Sequence, residues 1–287
     1  MKLAIVQSKP RKGDVDANFA ELEKIFAQLG AASPAYDLIV LPEAALTGYF
    51  LEGGVYELAF TAAEFAARLA ATWRAAAGER TVDLVAGFYE NAGGTYYNSA
   101  AYVRVEPESH RIVHVHRKMF LPTYGVFDEE SFVSRGRRLQ AFETRFGRMA
   151  ILICEDAWHA LMPTLAAIKG ARALIVPSAS PGRGLTAGPE LESIQHWRSV
   201  LRSYAVEHGV FVIYAGLAGF EGGKGMTGSS SAIDPFGETL VAAPALGAHV
   251  LSVDLDFSDI DIARARLPLL GNLGAVLPDL LVADAVL

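Results

Sequence analysis

Short apolar runs of strand length recur along the chain, and several longer segments between them carry apolar residues at helical spacing. The runs predict strands at residues 3–6, 38–41, 82–88, 96–105, 112–116, 149–153, 173–176, 210–215, 229–233 and 250–254. The amphipathic segments predict helices over residues 16–29, 56–77 and 189–208. This irregular alternation favours two sheets covered by helices on their outer faces. The pattern predicts an α/β protein with a single domain over residues 1–287.

The end of the chain departs from this pattern. From about Leu267 to Leu287 the apolar residues lose their periodicity, and prolines and glycines interrupt the segment. The segment is apolar rather than polar, so we expect this C-terminal tail to pack on another subunit.

The composition excludes several classes of protein. Hydrophobic residues make up 52% of the chain and charged residues 20%, which is ample for a large core and unlike a disordered chain. The net charge of −7 and the lack of a basic stripe argue against a nucleic-acid partner. The densest basic run, Arg135 to Arg138, is interrupted by Gly136 and is interpreted as a loop or the edge of a site. No apolar run reaches the roughly 18 residues of a membrane span, so no membrane partner is expected.

Cysteine usage and sequence motifs indicate the cellular compartment and the cofactors to expect. Cys154 is the only cysteine, which excludes an intramolecular disulfide and fits a reducing cytoplasm. The first apolar run is too short for a signal peptide. The sequence has no His/Cys cluster with zinc spacing and no glycine-rich phosphate loop after a strand, so neither a metal nor a nucleotide cofactor is expected.

Cys154 is the strongest chemical signal. It ends an apolar strand and is followed at once by Glu155 and Asp156. A lone cysteine is ordinarily a small core residue, but two consecutive carboxylates are unusual beside a core position. Where a strand turns, the next backbone N–H groups can point at the target of a thiol, as in an oxyanion hole. We therefore interpret Cys154 as a nucleophile.

Glu43 and Lys118 also follow apolar strands directly. A buried glutamate has a raised pKa and could take the thiol proton, and an ammonium could lower the pKa of the thiol and stabilise an oxyanion. The alternatives are an exposed strand-end glutamate and a lysine that extends along the surface. A Cys–His dyad with His116 or His159 is the less favoured arrangement.

The segments around these residues resemble the motifs of the nitrilase superfamily of carbon–nitrogen hydrolases. The three segments are Leu41-Pro-Glu-Ala-Ala-Leu-Thr-Gly-Tyr49, His116-Arg-Lys-Met-Phe-Leu-Pro122 and Ile153-Cys-Glu-Asp-Ala-Trp158. Their order and spacing make the resemblance specific, and it runs from about residue 1 to residue 268. It implies a four-layer αββα sandwich of two mixed sheets flanked by helices, a Cys–Glu–Lys triad, no cofactor, and a homodimer or higher homo-oligomer. It also implies that Glu129 positions the substrate and Lys118.

Within that superfamily, residues 121–129 and 154–158 look most like the glutaminase domain of glutamine-dependent NAD synthetase. This finer resemblance implies substrate contacts from Tyr124, Glu155, Ser180 and Arg183, and Tyr49 and Trp158 at the motif ends are further candidates. Arg183 lies closer to Ser180 than in that pattern, and Gly216 stands where the family has asparagine. No ATP-binding synthetase domain is expected in the chain.

The resulting expectation is an amidohydrolase that cleaves a small carboxamide, either an ω-amide or an N-carbamoyl compound, through a cysteine thioester. Two alternatives remain open, a glutaminase-type subunit that supplies ammonia to a separate synthetase and an acyltransferase. Nitrile hydrolysis is disfavoured because Cys154 precedes Glu155-Asp156 rather than the Trp-Glu pair of nitrilases proper.

Overall fold

The computed structural model describes residues 1–184, 188 and 190–280. Its strands are β1 (Lys2–Gln7), β2 (Leu38–Val40), β3 (Val82–Ala92), β4 (Thr95–Val105), β5 (His110–Arg117), β6 (Phe142–Thr144), β7 (Gly147–Ile151), β8 (Ala173–Ser178), β9 (Phe211–Gly216), β10 (Ala218–Glu221), β11 (Lys224–Thr227), β12 (Ser231–Ile233), β13 (Thr239–Ala242) and β14 (His249–Asp254). Its α-helices are α1 (Val15–Gly30), α2 (Val55–Leu58), α3 (Ala62–Ala77), α4 (Leu161–Ile168), α5 (Glu192–His208), α6 (Ser258–Arg266) and α7 (Leu269–Leu280).

Two six-stranded mixed sheets form the centre of the fold. The first has the order β14-β1-β2-β3-β4-β5, and the second has the order β13-β12-β9-β8-β7-β6. β1, β2 and β3 run parallel, as do β7, β8 and β9, while the strands towards the edges pair antiparallel. Strands β10 and β11 form a separate hairpin.

Side-chain alternation along the strands divides the core into layers. Leu3 and Ile5 of β1 pack in the cluster that includes β7 and β8 of the other sheet. Ala4 and Val6 point the opposite way and pack in the cluster of α1 and α3. Because successive side chains of a strand face opposite sides of a sheet, each central strand contributes to both layers. The predicted four-layer αββα sandwich is therefore confirmed.

The predicted strands are all present with shifted ends, but the predicted helix over residues 56–77 is wrong. It is broken into α2 and α3, and Phe60 between them pairs with the backbone of β3 through hydrogen bonds of 3.0 and 2.8 Å. The cause is Thr61, whose hydroxyl accepts from the Glu64 N–H while the Glu64 carboxylate accepts from the Thr61 N–H. This capping box starts a new helix after an extended residue.

Other boundaries also differ. Helix α5 begins at Glu192, and Pro189, its predicted first-turn residue, lies outside the described residues. The short strands β6, β10, β11 and β13 and the helices α4 and α6 were not predicted. Each spans nine or fewer residues in the structure, too few for a periodic pattern to stand out.

The predicted loss of periodicity in the tail is wrong as far as residue 280. Helix α7 packs against α4, α5 and α6, and its partly buried leucines, Leu270, Leu273 and Leu277, recur at helical spacing. Interspersed glycines and Pro278 hide that spacing in the sequence. Residues 281–287 of the predicted tail lie outside the described part, and its packing on another subunit stays a prediction. Within the described part, none of the helices has the length and apolar character needed to cross a membrane.

Candidate active site

The chemistry-bearing residues lie where strands of the two facing sheets end. Glu43 and Lys118 follow β2 and β5 of the first sheet, and Cys154 and Ser178 lie at the ends of β7 and β8 of the second. All four side chains are buried. The sandwich thus brings together residues that are up to 135 positions apart in the sequence (178 minus 43).

A closed ring of polar contacts surrounds the Lys118 ammonium. Its Nζ donates to Glu43 Oε1 at 2.8 Å and to Glu129 Oε2 at 2.6 Å. Asn98 Nδ2 donates to the same two carboxylates, at 2.7 Å to Glu43 Oε1 and 2.5 Å to Glu129 Oε1. The four side chains therefore fix one another, and the predicted grouping of Glu43, Lys118 and Glu129 is present.

The ring carries two carboxylates and one ammonium away from water. Burial alone would lower the pKa of Lys118, but the charges of Glu129 and Glu43 outweigh it and raise that pKa well above its usual range. Burial raises the pKa of Glu129 to about 7, against the attraction of Lys118 and with the help of the Glu43 charge. Lys118 is thus a cation at neutral pH, while Glu129 can hold a proton there.

Glu43 is oriented from the other sheet as well. Its second oxygen, Oε2, accepts from the backbone N–H of Ala179 at 2.7 Å. Ala179 follows β8, so this bond crosses from one sheet to the other. A carboxylate held by three donors on two sheets has a fixed position, which a general base requires.

Cys154 sits on a strained turn. Its φ is 45°, a left-handed conformation that side-chain-bearing residues seldom adopt and that clusters at functional sites. Ser178 Oγ donates to the thiol Sγ at 3.2 Å. Burial and then the Glu43 carboxylate raise the pKa of the thiol well above its ordinary value, against the lowering effects of Lys118 and Ser178. The resting group is therefore a thiol, and it needs a base to become a nucleophile.

Asp156 connects the nucleophile turn to the lysine segment. Its Oδ1 accepts from the backbone N–H groups of Met119 and Phe120 at 2.9 and 3.0 Å. Its Oδ2 accepts from the Ile153 N–H at 3.1 Å and lies 2.9 Å from His116 Nε2. One fully buried carboxylate thus fixes the residues on either side of both Lys118 and Cys154.

The histidines do not form the alternative dyad. His116 is paired with Asp156, and His159 stacks on Phe120 with ring centres 3.7 Å apart. In the described residues, neither histidine forms a hydrogen bond with Cys154, whose partner is Ser178.

Most of the predicted substrate-binding residues lie together outside the ring. Tyr124 donates its hydroxyl to both carboxylate oxygens of Glu155, at 3.0 and 2.9 Å. The Arg183 guanidinium lies 5.4 Å from the Tyr124 ring centre and 5.7 Å from that of Trp158. Tyr124, Trp158 and Arg183 line a cavity of about 300 Å³, together with Glu192, Ser193 and His196 of α5.

The remaining two candidates lie elsewhere. Ser180 is buried, and its hydroxyl accepts from Trp197 Nε1 at 3.0 Å. Tyr49 lies beneath the Lys118 ammonium, with 5.5 Å from Nζ to the ring centre, and lines a second cavity of about 250 Å³ with Glu129 and Lys224. Predicted substrate-binding residues therefore line two cavities that share no lining residue.

Three polar residues of the site were missed by the sequence reasoning. Asn98, Ser178 and Asp156 are buried, and each bonds to the ring, the thiol or the segment that carries them. Ser178 ends a strand of otherwise apolar residues, and that interruption is the signal that could have identified it. Asn98 lies next to Ser99 in β4, which gives no such signal. Asp156 was noted only as an acidic neighbour of the cysteine.

Gly216 stands where the family pattern has asparagine, and the local structure explains the glycine. A Cβ built at this position would lie 1.9 Å from the carbonyl oxygen of Gly228. The Gly216 N–H donates to Ser230 Oγ at 2.9 Å, which ties the two segments. An asparagine would not fit against this backbone.

A buried thiol beside two carboxylates and an ammonium, on an αββα sandwich, is an arrangement suited to the class of carbon–nitrogen hydrolases. In keeping with that class, the family model described as "Carbon-nitrogen hydrolase" matches residues 2–265, and the chain belongs to that family. The expected enzyme class, a hydrolase of carbon–nitrogen bonds, is confirmed. Among the described residues, no group of three or more His, Cys, Asp and Glu side chains is placed to hold a metal ion.

Individual relatives refine the comparison. The chain is 26% identical over 272 residues to a citrullinase of Francisella tularensis, covering 92% of each chain. It is 26% identical over 262 residues to a glutamine-dependent NAD(+) synthetase of Thermotoga maritima, covering 90% of this chain but only 42% of that protein. A solved carbon-nitrogen hydrolase from Helicobacter pylori matches with a TM-score of 0.80 at 24% identity, covering 95% of this chain and 94% of that one, which shows the shared fold. The predicted resemblance to NAD synthetases is confirmed, and the chain spans a little under half the length of that synthetase.

Proposed function

We propose that the protein is an amidohydrolase that cleaves a small carboxamide through a thioester on Cys154. The observation that carries the proposal is the ring of Glu43, Lys118, Glu129 and Asn98 beside a buried thiol on a strained turn. The ring supplies a fixed base and a fixed cation within one desolvated site. The base can activate the thiol, and the cation can stabilise the oxyanion of acyl transfer.

In the acylation step, Glu43 takes the proton of the Cys154 thiol, and the sulfur attacks the carbonyl carbon of the amide. Lys118 and the backbone N–H of Glu155 stabilise the oxyanion that forms. Glu43 then gives the proton to the departing nitrogen, the C–N bond breaks, and ammonia or an amine leaves. The carbonyl carbon is now bonded to sulfur as a thioester.

In the second step, Glu43 takes a proton from water, and the hydroxide attacks the thioester carbon. The C–S bond breaks, a carboxylic acid forms, and the sulfur regains its proton from Glu43. The raised pKa of the Cys154 thiol supports this sequence because it keeps the sulfur protonated until a base acts on it. Glu129 accepts a bond from Lys118 and positions its ammonium.

The proposed substrate class rests on the charges around the cavity lined by Tyr124, Trp158 and Arg183 and on the names of the relatives. Glutamine and citrulline share an amino-acid head and a terminal carbonyl group bonded to –NH₂. Arg183 forms no ion pair with a carboxylate in the described residues, and Glu155 is held by Tyr124. We propose that Arg183 binds the carboxylate of the head and Glu155 its ammonium, so that the ω-amide or ω-ureido group reaches Cys154.

The decisive experiment is ammonia release by the wild type and by Cys154→Ala. The panel is glutamine, citrulline, other ω-amides, N-carbamoyl amines, aliphatic amides and nitriles. Release from one class that disappears in Cys154→Ala supports the hydrolase and identifies its substrate. Release that persists in the folded variant contradicts the thioester.

A glutaminase-type subunit that supplies ammonia to a synthetase is the second candidate. It is favoured by the similarity to glutamine-dependent NAD(+) synthetases, of whose length this chain spans only part. The distinguishing result is glutamine hydrolysis that rises only when a separate synthetase is added. Hydroxamate from an amide and hydroxylamine, without net hydrolysis in water, would instead indicate an acyltransferase.

The proposed recognition of the amino-acid head has its own test. Arg183→Ala should raise KM for glutamine or citrulline by about 10- to 100-fold, the loss of one charge-assisted contact. It should leave KM for an uncharged aliphatic amide unchanged. Arg148→Ala, which removes an exposed arginine that is paired with Glu143 and does not line the cavity, is the control. Equal effects on both substrates would contradict the assignment.

We also propose that the protein forms a homodimer or higher homo-oligomer and works in the cytoplasm. Leu269, Val276 and Leu280 leave an exposed apolar face on α7, beside the exposed Leu161 and Ile168 of α4. Burial of this face by a second copy would remove apolar surface from water. Light scattering after size exclusion tests the assembly.

A free nucleophilic thiol is best preserved in a reducing compartment, which supports the proposed location in the cytoplasm.

A further inference from the structure

A basic cavity of about 340 Å³ lies at the edge of the sandwich, away from the two cavities of the candidate active site. Its lining includes Arg117 at the end of β5 and Arg135, Arg137 and Arg138 of the segment that leads towards β6. It shares no lining residue with the cavities around Tyr49 and Arg183. The basic run of the sequence is therefore the wall of a concave surface.

The charge of this cavity is only partly neutralised by the protein. Arg117 is paired with the buried Glu90, through 2.8 and 2.7 Å hydrogen bonds, and its guanidinium lies 4.1 Å from the ring centre of Tyr97. Arg135, Arg137 and Arg138 are exposed, and none forms an ion pair with a carboxylate of the described residues. Three unpaired cations therefore lie together on a chain whose net charge is −7. Like charges that line one cavity attract an anion to it.

The arginine segment is anchored in place by its backbone. The Gly136 N–H donates to the carbonyl oxygen of Lys118 at 2.7 Å. A Cβ at position 136 would lie 2.1 Å from the carbonyl oxygen of Arg117, so only glycine permits this approach. Glu90 likewise fixes Arg117 and accepts from Ser99 Oγ. A fixed backbone lowers the ordering cost of binding a ligand at this surface.

We propose that this cavity binds a small polyanion that carries phosphate or several carboxylate groups. Guanidinium groups bind both kinds of anion in a bidentate manner, and the cavity volume lies in the range of ligand sites, about 300–1,000 Å³. A cavity of this size accommodates a compact molecule with two or three anionic groups. The site is separate from the hydrolytic one, but its wall bonds directly to the backbone of Lys118.

Calorimetric titration of the wild type at about 0.1 M ionic strength, where the Debye length is about 10 Å, with tripolyphosphate and separately with citrate, tests the proposal. We expect saturable binding of at least one anion, and its preference distinguishes a phosphate ligand from a polycarboxylate ligand. Arg137→Ala/Arg138→Ala should weaken binding by about 10-fold or more, because two guanidinium contacts to the anion are lost. Arg137→Lys/Arg138→Lys keeps the charge but loses the bidentate geometry, and should bind with intermediate affinity.

The matched control is Arg198→Ala/Arg202→Ala on α5, which removes the same charge from exposed arginines that already face Glu190 and Glu238. It should bind within about 2-fold of the wild type if the effect is local, because distant charges are screened within a Debye length. Absence of saturable binding of both anions to the wild type would overturn the proposal. Equal loss in the control and the cavity variant would also overturn it, since it would indicate a general charge effect.

Discussion

Replacement of Asp156 by asparagine removes a charge at the junction between the nucleophile turn and the lysine segment. The side chain is fully buried and accepts three backbone N–H groups, besides its contact with His116. Asparagine keeps the shape but has only one accepting oxygen. If that oxygen faces Met119 and Phe120, the new –NH₂ group faces the Ile153 N–H, and two donors oppose each other. The flipped amide leaves two N–H groups unsatisfied instead of one.

The expected loss of stability is about 2–5 kcal/mol. A hydrogen bond to a charged group contributes about 1.5–3 kcal/mol, and a buried donor left without a partner costs about 1–3 kcal/mol. In the orientation that keeps the bonds to Met119 and Phe120, the amide N–H can donate to His116 Nε2 if the imidazole proton moves to Nδ1. The bond to the Ile153 N–H remains lost. Because a typical domain is stable by about 5–15 kcal/mol, the loss should be measurable without unfolding the variant completely.

Urea unfolding followed by tryptophan fluorescence measures this difference. Asp261→Asn is the matched control, because that side chain is 81% exposed and lies 4.0 Å from its nearest cation, Arg172. It should change the free energy of unfolding by no more than about 0.5 kcal/mol. A stability of Asp156→Asn equal to that of the control would refute the view that this carboxylate holds the two segments together.

Three further outcomes are expected. Ser178→Ala removes the donor that lies 3.2 Å from the thiol, so the pKa of Cys154 should rise further and alkylation by iodoacetamide at a given pH should slow; an unchanged pH profile of alkylation would count against this role. Because burial raises the pKa of Glu129 from 4.5 to about 7, the folded protein retains a proton there that the unfolded chain releases, and the free energy of unfolding should fall as pH rises through that window. Glu129→Gln should reduce this decline, and an identical decline in both proteins would contradict it. Gly216→Ala should destabilise by about 1–3 kcal/mol or more because its Cβ meets the Gly228 carbonyl, whereas Gly271→Ala in α7, with open space around it, should be neutral or stabilising by up to about 1 kcal/mol in thermal unfolding.

The parts of the fold that sequence reasoning found are those with long or continuous apolar patterns. The central strands and helix α1 follow directly from periodicity, because their buried faces repeat over several turns or pleats. The break at Phe60 was not predicted because the segments on both sides have helical spacing. In the structure, the capping box at Thr61 starts a new helix despite that continuous spacing. Helix α7 was missed since its three partly buried leucines lie among glycines that disfavour a helix.

For the site, the sequence indicated the thiol and the charged residues that follow strands, but not Asn98 within β4 or Ser178 at the end of β8. Glu43 and Cys154 end apolar runs, which makes a polar residue conspicuous, and Lys118 follows the predicted strand over residues 112–116. Asn98 faces the ring from the middle of β4, next to Ser99, and only the pairing of β4 with β3 and β5 shows which face it occupies. Long-range contacts such as the bond from Ala179 N–H to Glu43 depend on how two sheets meet.

Partition of the acyl intermediate between water and hydroxylamine is the most direct test of a thioester on Cys154. With the amide substrate identified by ammonia release, the wild type should form hydroxamate at the expense of acid as hydroxylamine increases, because both products come from one thioester. Cys154→Ala should form neither product while unfolding at a denaturant concentration close to that of the wild type. Hydroxamate formation that survives in Cys154→Ala would contradict a thioester on this cysteine.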